Sequence, residues 1–165
     1  MRPLPWPRWV GALLITLLLA ACALPPRTAV STNAPDLWSG RMALTVEGDA
    51  GQSFSGLFVL EGGPEHGNLA LSTPLGTVLA ALRWAPGHAE LRSSHGVQTA
   101  DSLDALLRDA LGSTIPIQAL FAWLRGDAAT AADWQADLSQ INDGRLTAVR
   151  AQPLPRATLR IALDH

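Results

Sequence analysis

The tightest constraint in this sequence is a period of two that recurs between Arg41 and Arg92. Met42, Leu44 and Val46 alternate with Arg41, Ala43 and Thr45. Alternation of this kind sets one row of side chains against a core and the other toward water, as in a half-buried strand. In "QSFSGLFVLEGG", Phe54, Phe58 and Leu60 share one face with Gly56 between them, and Ser53, Ser55, Leu57 and Val59 take the other. Further strands are expected at Leu69–Thr73, Thr77–Trp84 and His88–Arg92. Gly48-Asp49-Ala50-Gly51, Gly62-Gly63-Pro64 and Pro86-Gly87 supply the turns between strands. Short strands joined by short turns make an antiparallel meander.

Two helices interrupt the pattern. Asp101 is placed to cap "SLDALLRDAL", whose Leu103, Leu106, Leu107 and Ala110 fall on one stripe, with Gly112 as terminator. Pro116 suits the first helical position of "PIQALFAWLRG", in which Ile117, Leu120, Phe121 and Leu124 follow helical spacing and Gly126 ends the run. Strands are expected again at Trp134–Ser139, Arg145–Arg150 and Ala157–Leu163. The fold class is therefore mainly β with short helices. A sheet of about eight strands curves so that the helix pair plugs one end and buries its apolar stripes. Such a sheet either fills its interior or encloses a ligand, since both options use the same residue types.

The N-terminus reads differently. Arg2 and Arg8 precede an apolar run from Val10 to Leu19, too short to span a bilayer and typical of a cleaved signal. The run ends in Leu19-Ala20-Ala21-Cys22, which matches the bacterial lipobox, and Cys22 is the only cysteine. The expected organisation is a lipoprotein signal peptide over 1–21 and a lipidated flexible tether over 22–36. A folded domain follows over 37–165. The tether "ALPPRTAVSTNAP" is rich in Pro, Ser, Thr and Ala without a period. Acyl chains on Cys22 would hold the chain at a membrane, at roughly 0.8 kcal/mol per buried methylene. By resemblance to the sorting rule of such bacterial lipoproteins, Ala23 after the cysteine, rather than Asp, favours passage to the outer membrane.

Catalytic signatures are missing where they would be sought. His66, His88, His95 and His165 stand at no metal-ligand spacing. "GQSFSG" misses the G-x-S-x-G elbow, and no strand-to-helix turn follows it. No glycine-rich phosphate loop occurs. The formal net charge is −2, and loss of Arg2 and Arg8 with the signal makes the mature chain more acidic, which argues against nucleic acid or anionic headgroups as electrostatic partners. No enzyme, metal or cofactor is expected.

One turn breaks the usual rule. Thr73-Pro74-Leu75-Gly76 is well formed for a tight reversal, yet its tip is a leucine instead of a polar residue. Either Leu75 is an ordinary exposed residue or the tip dips into a lipid surface.

"SGRMALTVEG", "FSGLFVLEGG", "LALSTPLGTVLAAL" and "IPIQALFAWLRG" follow one another as they do in the LolB family of outer-membrane lipoproteins. The resemblance is most specific at Pro74-Leu75-Gly76 and at Ile115-Pro116…Leu120…Trp123-Leu124-x-Gly126. It is looser from Trp134 onward, where the ending is shorter than the family pattern and the strand count stays open. It implies a curved, unclosed antiparallel β-barrel with helices plugging an apolar cavity that holds acyl chains in transit. It implies a monomer whose partners are a periplasmic LolA-like lipoprotein carrier, lipidated cargo proteins and outer-membrane lipid. Lipid attachment falls on Cys22 and membrane insertion on Leu75. Candidates for the cavity wall are Phe54, Phe58, Leu60, Trp84, Phe121 and Trp123, all of which would serve equally as plain core. A structural envelope lipoprotein of related fold without cargo, and a lipid-modifying enzyme, are the competing readings.

Overall fold

The computed structural model describes residues 36–111, 115–131 and 133–164. Six strands come first: β1 (Asp36–Val46), β2 (Phe54–Gly62), β3 (Gly67–Ser72), β4 (Val78–Ala85), β5 (His88–Ser93) and β6 (Gly96–Ala100). Two helices follow, α1 (Leu103–Leu111) and α2 (Ile117–Leu124). The chain then returns to strand in β7 (Trp134–Asp137), β8 (Arg145–Arg150) and β9 (Ala157–Leu163), with a short 3₁₀ turn at Ile141–Asp143. All nine strands form one antiparallel sheet in the order β6-β5-β4-β3-β2-β1-β9-β8-β7. No ladder joins β6 to β7, so the sheet stays open.

The register turns the period of two into two faces. Phe58, Leu71 and Ala80 are cross-strand neighbours, and so are Leu60, Leu69, Leu82 and Leu91. These rows carry the buried side chains and meet α1 and α2 in a single hydrophobic cluster. The alternate row of Glu61, Asn68, Arg83 and Glu90 faces out. Between Leu71 and Ser72 the β3–β4 register slips, because Ser72 pairs with Val78 while Leu71 pairs with Ala80. Leu79 is the extra residue of this bulge, and strong local twist is what a bulge supplies.

Two glycines permit close backbone approach. Gly40 has φ +152°, and a Cβ there would collide with the Ala162 carbonyl across the β1–β9 ladder. At Gly67 a Cβ would lie 2.5 Å from the Trp84 ring, so only glycine lets that indole lie on β3.

Several local expectations shift by a residue or two. Asp101 does not cap α1. Ser102 does, its Oγ accepting the Ala105 N–H at 3.2 Å and its carbonyl accepting the Leu106 N–H. Pro116 stands as the N-cap of α2 instead of its first helical residue. Gly126 ends α2 with φ +84°, and the Asp127 N–H reaches back to the Ala122 carbonyl at 2.9 Å, closing the last turn. β7 stops at Asp137, whose carboxylate turns back to accept the Ser139 N–H at 2.9 Å. Strand β6 is additional to the expected strands: Gly-Val-Gln-Thr-Ala shows no alternating apolar row, and all of it except Ala100 is exposed. Gly112 lies outside the described residues.

Candidate functional site

The concave face of the sheet is the place to look for a site, since α2 lies against it. Ile117–Leu124 contains no charged residue, and Ala119, Leu120, Phe121, Trp123 and Leu124 are all buried. A helix apolar on nearly every side is stable only when surrounded. Phe121 is fully buried and meets two tryptophans edge-on, Trp38 at 5.4 Å and Trp84 at 6.3 Å between ring centres. The polar edges of two buried indoles are satisfied. Trp84 Nε1 donates to the Gly63 carbonyl at 3.0 Å, and Trp123 Nε1 donates to the Ala129 carbonyl at 3.0 Å.

Among the six residues expected to line a cavity, Phe58, Leu60, Trp84, Phe121 and Trp123 are buried in this one cluster. Phe54 is half-buried and packs against its edge. Trp38, absent from the six candidates, belongs with them. Its place on the inward row of β1 with Met42 and Leu44 was the signal for it.

Trp84 also contributes to the walls of two surface depressions. A groove of about 470 Å³ lies between Trp84, the β2–β3 and β4–β5 turns and the starts of both helices, with Pro64, Leu103, Pro116 and Ile117 on its walls. A second cleft of about 350 Å³, bounded by Glu61, His66, Asn68, Arg83 and His88, has the same indole as its apolar floor. Both were invisible in the sequence because their walls come from segments far apart in the chain.

Charge is kept off the concave face. On the outer face Glu90 accepts a hydrogen bond from Arg92, which holds its carboxyl below the usual carboxylate range and raises the guanidinium in turn. Hydrogen bonding to Ser139 likewise lowers Asp137. Arg150 is the exception, 5% exposed at the end of β8. Its guanidinium lies 5.8 Å over the Trp134 ring, and Nη2 donates to the Pro155 carbonyl at 3.0 Å. No group of three or more His, Cys, Asp and Glu side chains among the described residues could hold a metal. No helix among them is long and apolar enough to cross a membrane.

Leu75 occupies the tip of the β3–β4 turn. The Gly76 N–H donates to the Thr73 carbonyl at 2.9 Å, and Thr73 N–H to the Thr77 carbonyl at 2.8 Å. The Thr77 N–H also reaches Thr73 Oγ1 at 3.2 Å. Gly76 takes φ +85° to close the turn. The turn is built of hydrogen bonds, and the leucine it carries is 95% exposed. Cys22 lies outside the described residues.

These features define a class: an open antiparallel half-barrel whose apolar concave face is covered by helices. Within that class the chain belongs to the LolB family, since the family model for outer membrane lipoprotein LolB matches residues 37–156. The match runs on through β8, beyond the segment where the sequence motifs were clearest. The chain is 32% identical to the outer-membrane lipoprotein LolB of Bordetella petrii, over 95% of this chain and 92% of that one. Its identity to the Bordetella parapertussis protein of the same name is 36%, over 72% of this chain and 63% of that one. For the Chromobacterium violaceum protein of that name the figure is 29%, over 79% and 74%.

Proposed function

We propose that the protein accepts lipidated proteins from a LolA-like periplasmic carrier and inserts them into the outer membrane, acting as a monomer without cofactor or catalysis. In this reading residues 1–21 are removed, Cys22 carries the lipid, residues 22–36 are the tether, and the domain of 37–165 works on the periplasmic face. The observation that carries the reading is an uncharged helix, α2, laid on the concave face of a sheet that is not closed by hydrogen bonds. Contacts of that kind are non-directional. Acyl methylenes can replace them at about 0.8 kcal/mol per CH₂, so a lipid chain that displaces α2 from Phe58, Leu60 and Trp84 loses little against the packing it replaces. The ties at the end of α2 are modest. Arg125 pairs with Asp36 at 3.4 Å, both half-exposed, and such pairs contribute at most about 1 kcal/mol.

Transfer then needs no fuel. A receiver that binds the acyl chains about 1.4 kcal/mol more tightly than the carrier shifts the partition tenfold, and the bilayer is the larger sink. The test is transfer of a lipidated cargo from carrier to the purified protein, followed with an apolar fluorescent probe. Cargo should displace the probe, and probe binding should show the negative heat-capacity change of apolar burial. Failure of cargo to compete would leave the second reading, a structural lipoprotein with a filled interior. Five of the six wall candidates are buried in one cluster, which both readings require before cargo enters.

A further inference from the structure

The antiparallel order sends four connections out of one end of the sheet: β1–β2, β3–β4, β5–β6 and β8–β9. Seven large apolar side chains are exposed among the described residues, and five of them gather at this end. They are Leu75 in the β3–β4 turn, Val78 and Leu79 at the start of β4, Val97 at the start of β6, and Leu154 in the β8–β9 loop. Leu154 is 73% exposed between Pro153 and Pro155. Its loop is anchored from below, because the buried Arg150 donates to the Pro155 carbonyl. It is anchored from the side too, by the Glu47 N–H donating to the Arg156 carbonyl at 2.9 Å.

Charged groups stand at this end as well, Asp133 before β7 among them. Glu47 lies 3.8 Å from Arg156. Asp49 Oδ1 accepts the N–H groups of Gly51 and Gln52. His95 stands in the β5–β6 turn. Neither 73–77 nor 151–155 contains an ionisable residue. Two leucines are thus held up at the uncharged tips of hydrogen-bonded connections on opposite flanks of β1, one in the β3–β4 turn and one beyond β9. Separated tips make no shared pocket for a protein side chain. They suit a deformable apolar layer, and for a member of a family of outer-membrane lipoproteins the layer within reach is a bilayer.

We propose that Leu154 is a second lipid-contacting residue, so that the domain meets the membrane with this whole end of the sheet and Leu75 does not act alone. The proposal rests on the membrane role assigned to Leu75. It adds an orientation: contact on both flanks of β1 sets the tilt of the sheet, which one tip cannot do.

The experiment places a nitrobenzoxadiazole fluorophore on L75C, L154C or H66C in the full-length lipidated chain. His66 lies in an exposed turn at the opposite end. The parent protein, whose only cysteine is Cys22, gives the labelling background. Each protein is reconstituted in phosphatidylethanolamine–phosphatidylglycerol vesicles with and without doxyl-labelled lipid. The expected result is a blue shift and loss of emission to the doxyl group at positions 75 and 154, with neither at 66. Quenching at 75 with 154 behaving like 66 overturns the proposal and leaves the Leu75 role standing. Absence of quenching at both positions overturns both. Quenching at 154 alone removes Leu75 from the lipid and overturns the contact on both flanks. A shift at 154 that requires added cargo or carrier protein, and not lipid, makes the loop a protein contact and overturns the proposal.

Discussion

Leu75 gains nothing from water, and no packing holds it, since 95% of the side chain is exposed while its turn is closed by backbone and Thr73 hydrogen bonds. Changing it should therefore separate stability from delivery. In Leu75→Glu the melting transition is expected to stay within about 0.5 kcal/mol of the parent, as for an ordinary surface change. Cargo acceptance should stay close to normal. Release into liposomes should slow, because a carboxylate resists entering an apolar layer and the roughly 1.5–3 kcal/mol of leucine burial is lost. Leu75→Phe should release cargo at close to the parental rate. Equal release by the Glu variant would reduce Leu75 to a turn residue.

At the scale of elements, α2 is held by shape and hardly at all by charge. Phe121 is fully buried between Trp38 and Trp84, so Phe121→Ala leaves a void that the rigid rings on either side cannot fill. A loss of about 3–5 kcal/mol is expected, read from the denaturant midpoint at unchanged slope. Asp36→Asn removes the ion pair to Arg125 between half-exposed side chains and should cost no more than about 1 kcal/mol. If the two variants had similar midpoints, α2 would be held by its charged end, and displacement by acyl chains would lose its physical basis. Helix starts show the limits of pattern reading at this scale. Asp101 and Ser102 both cap well by residue type, and only the backbone path decides that the Ser102 hydroxyl meets the Ala105 N–H.

Over the whole molecule the open sheet has β6 and β7 at its edges and β1, β2 and β9 inside it. β6 presents exposed residues up to Ala100, whereas β1, β2 and β9 have partners on both sides and buried inner rows. Amide hydrogen exchange should be slowest in β1, β2 and β9 and fastest in β6, since local opening follows the number of buried contacts and paired neighbours. Strong protection of β6 in the isolated protein would mean that another chain covers that edge.

Much of this architecture was legible in one dimension. The alternation of Met42, Leu44 and Val46, the Pro-Gly turns and the stripes of Leu103, Leu106, Leu107 and Ile117, Leu120, Phe121 are local signals, set by neighbours within a few residues. From them came the antiparallel meander, the helix pair and the exposed leucine at a turn tip. Strand β6 escaped because an exposed edge strand needs no apolar row; its ladder with β5 is what makes it a strand. The grooves on either side of Trp84 and the gathering of Leu75, Val97 and Leu154 at one end depend on strand order and polarity, which pair residues dozens of positions apart. Whether Phe58, Leu60 and Phe121 fill the interior or line it was undecidable from residue type, because both roles demand the same apolar side chains. What only the tertiary structure supplies is their gathering: strand register and the path of α2 bring Phe58, Leu60 and Phe121 into one buried cluster.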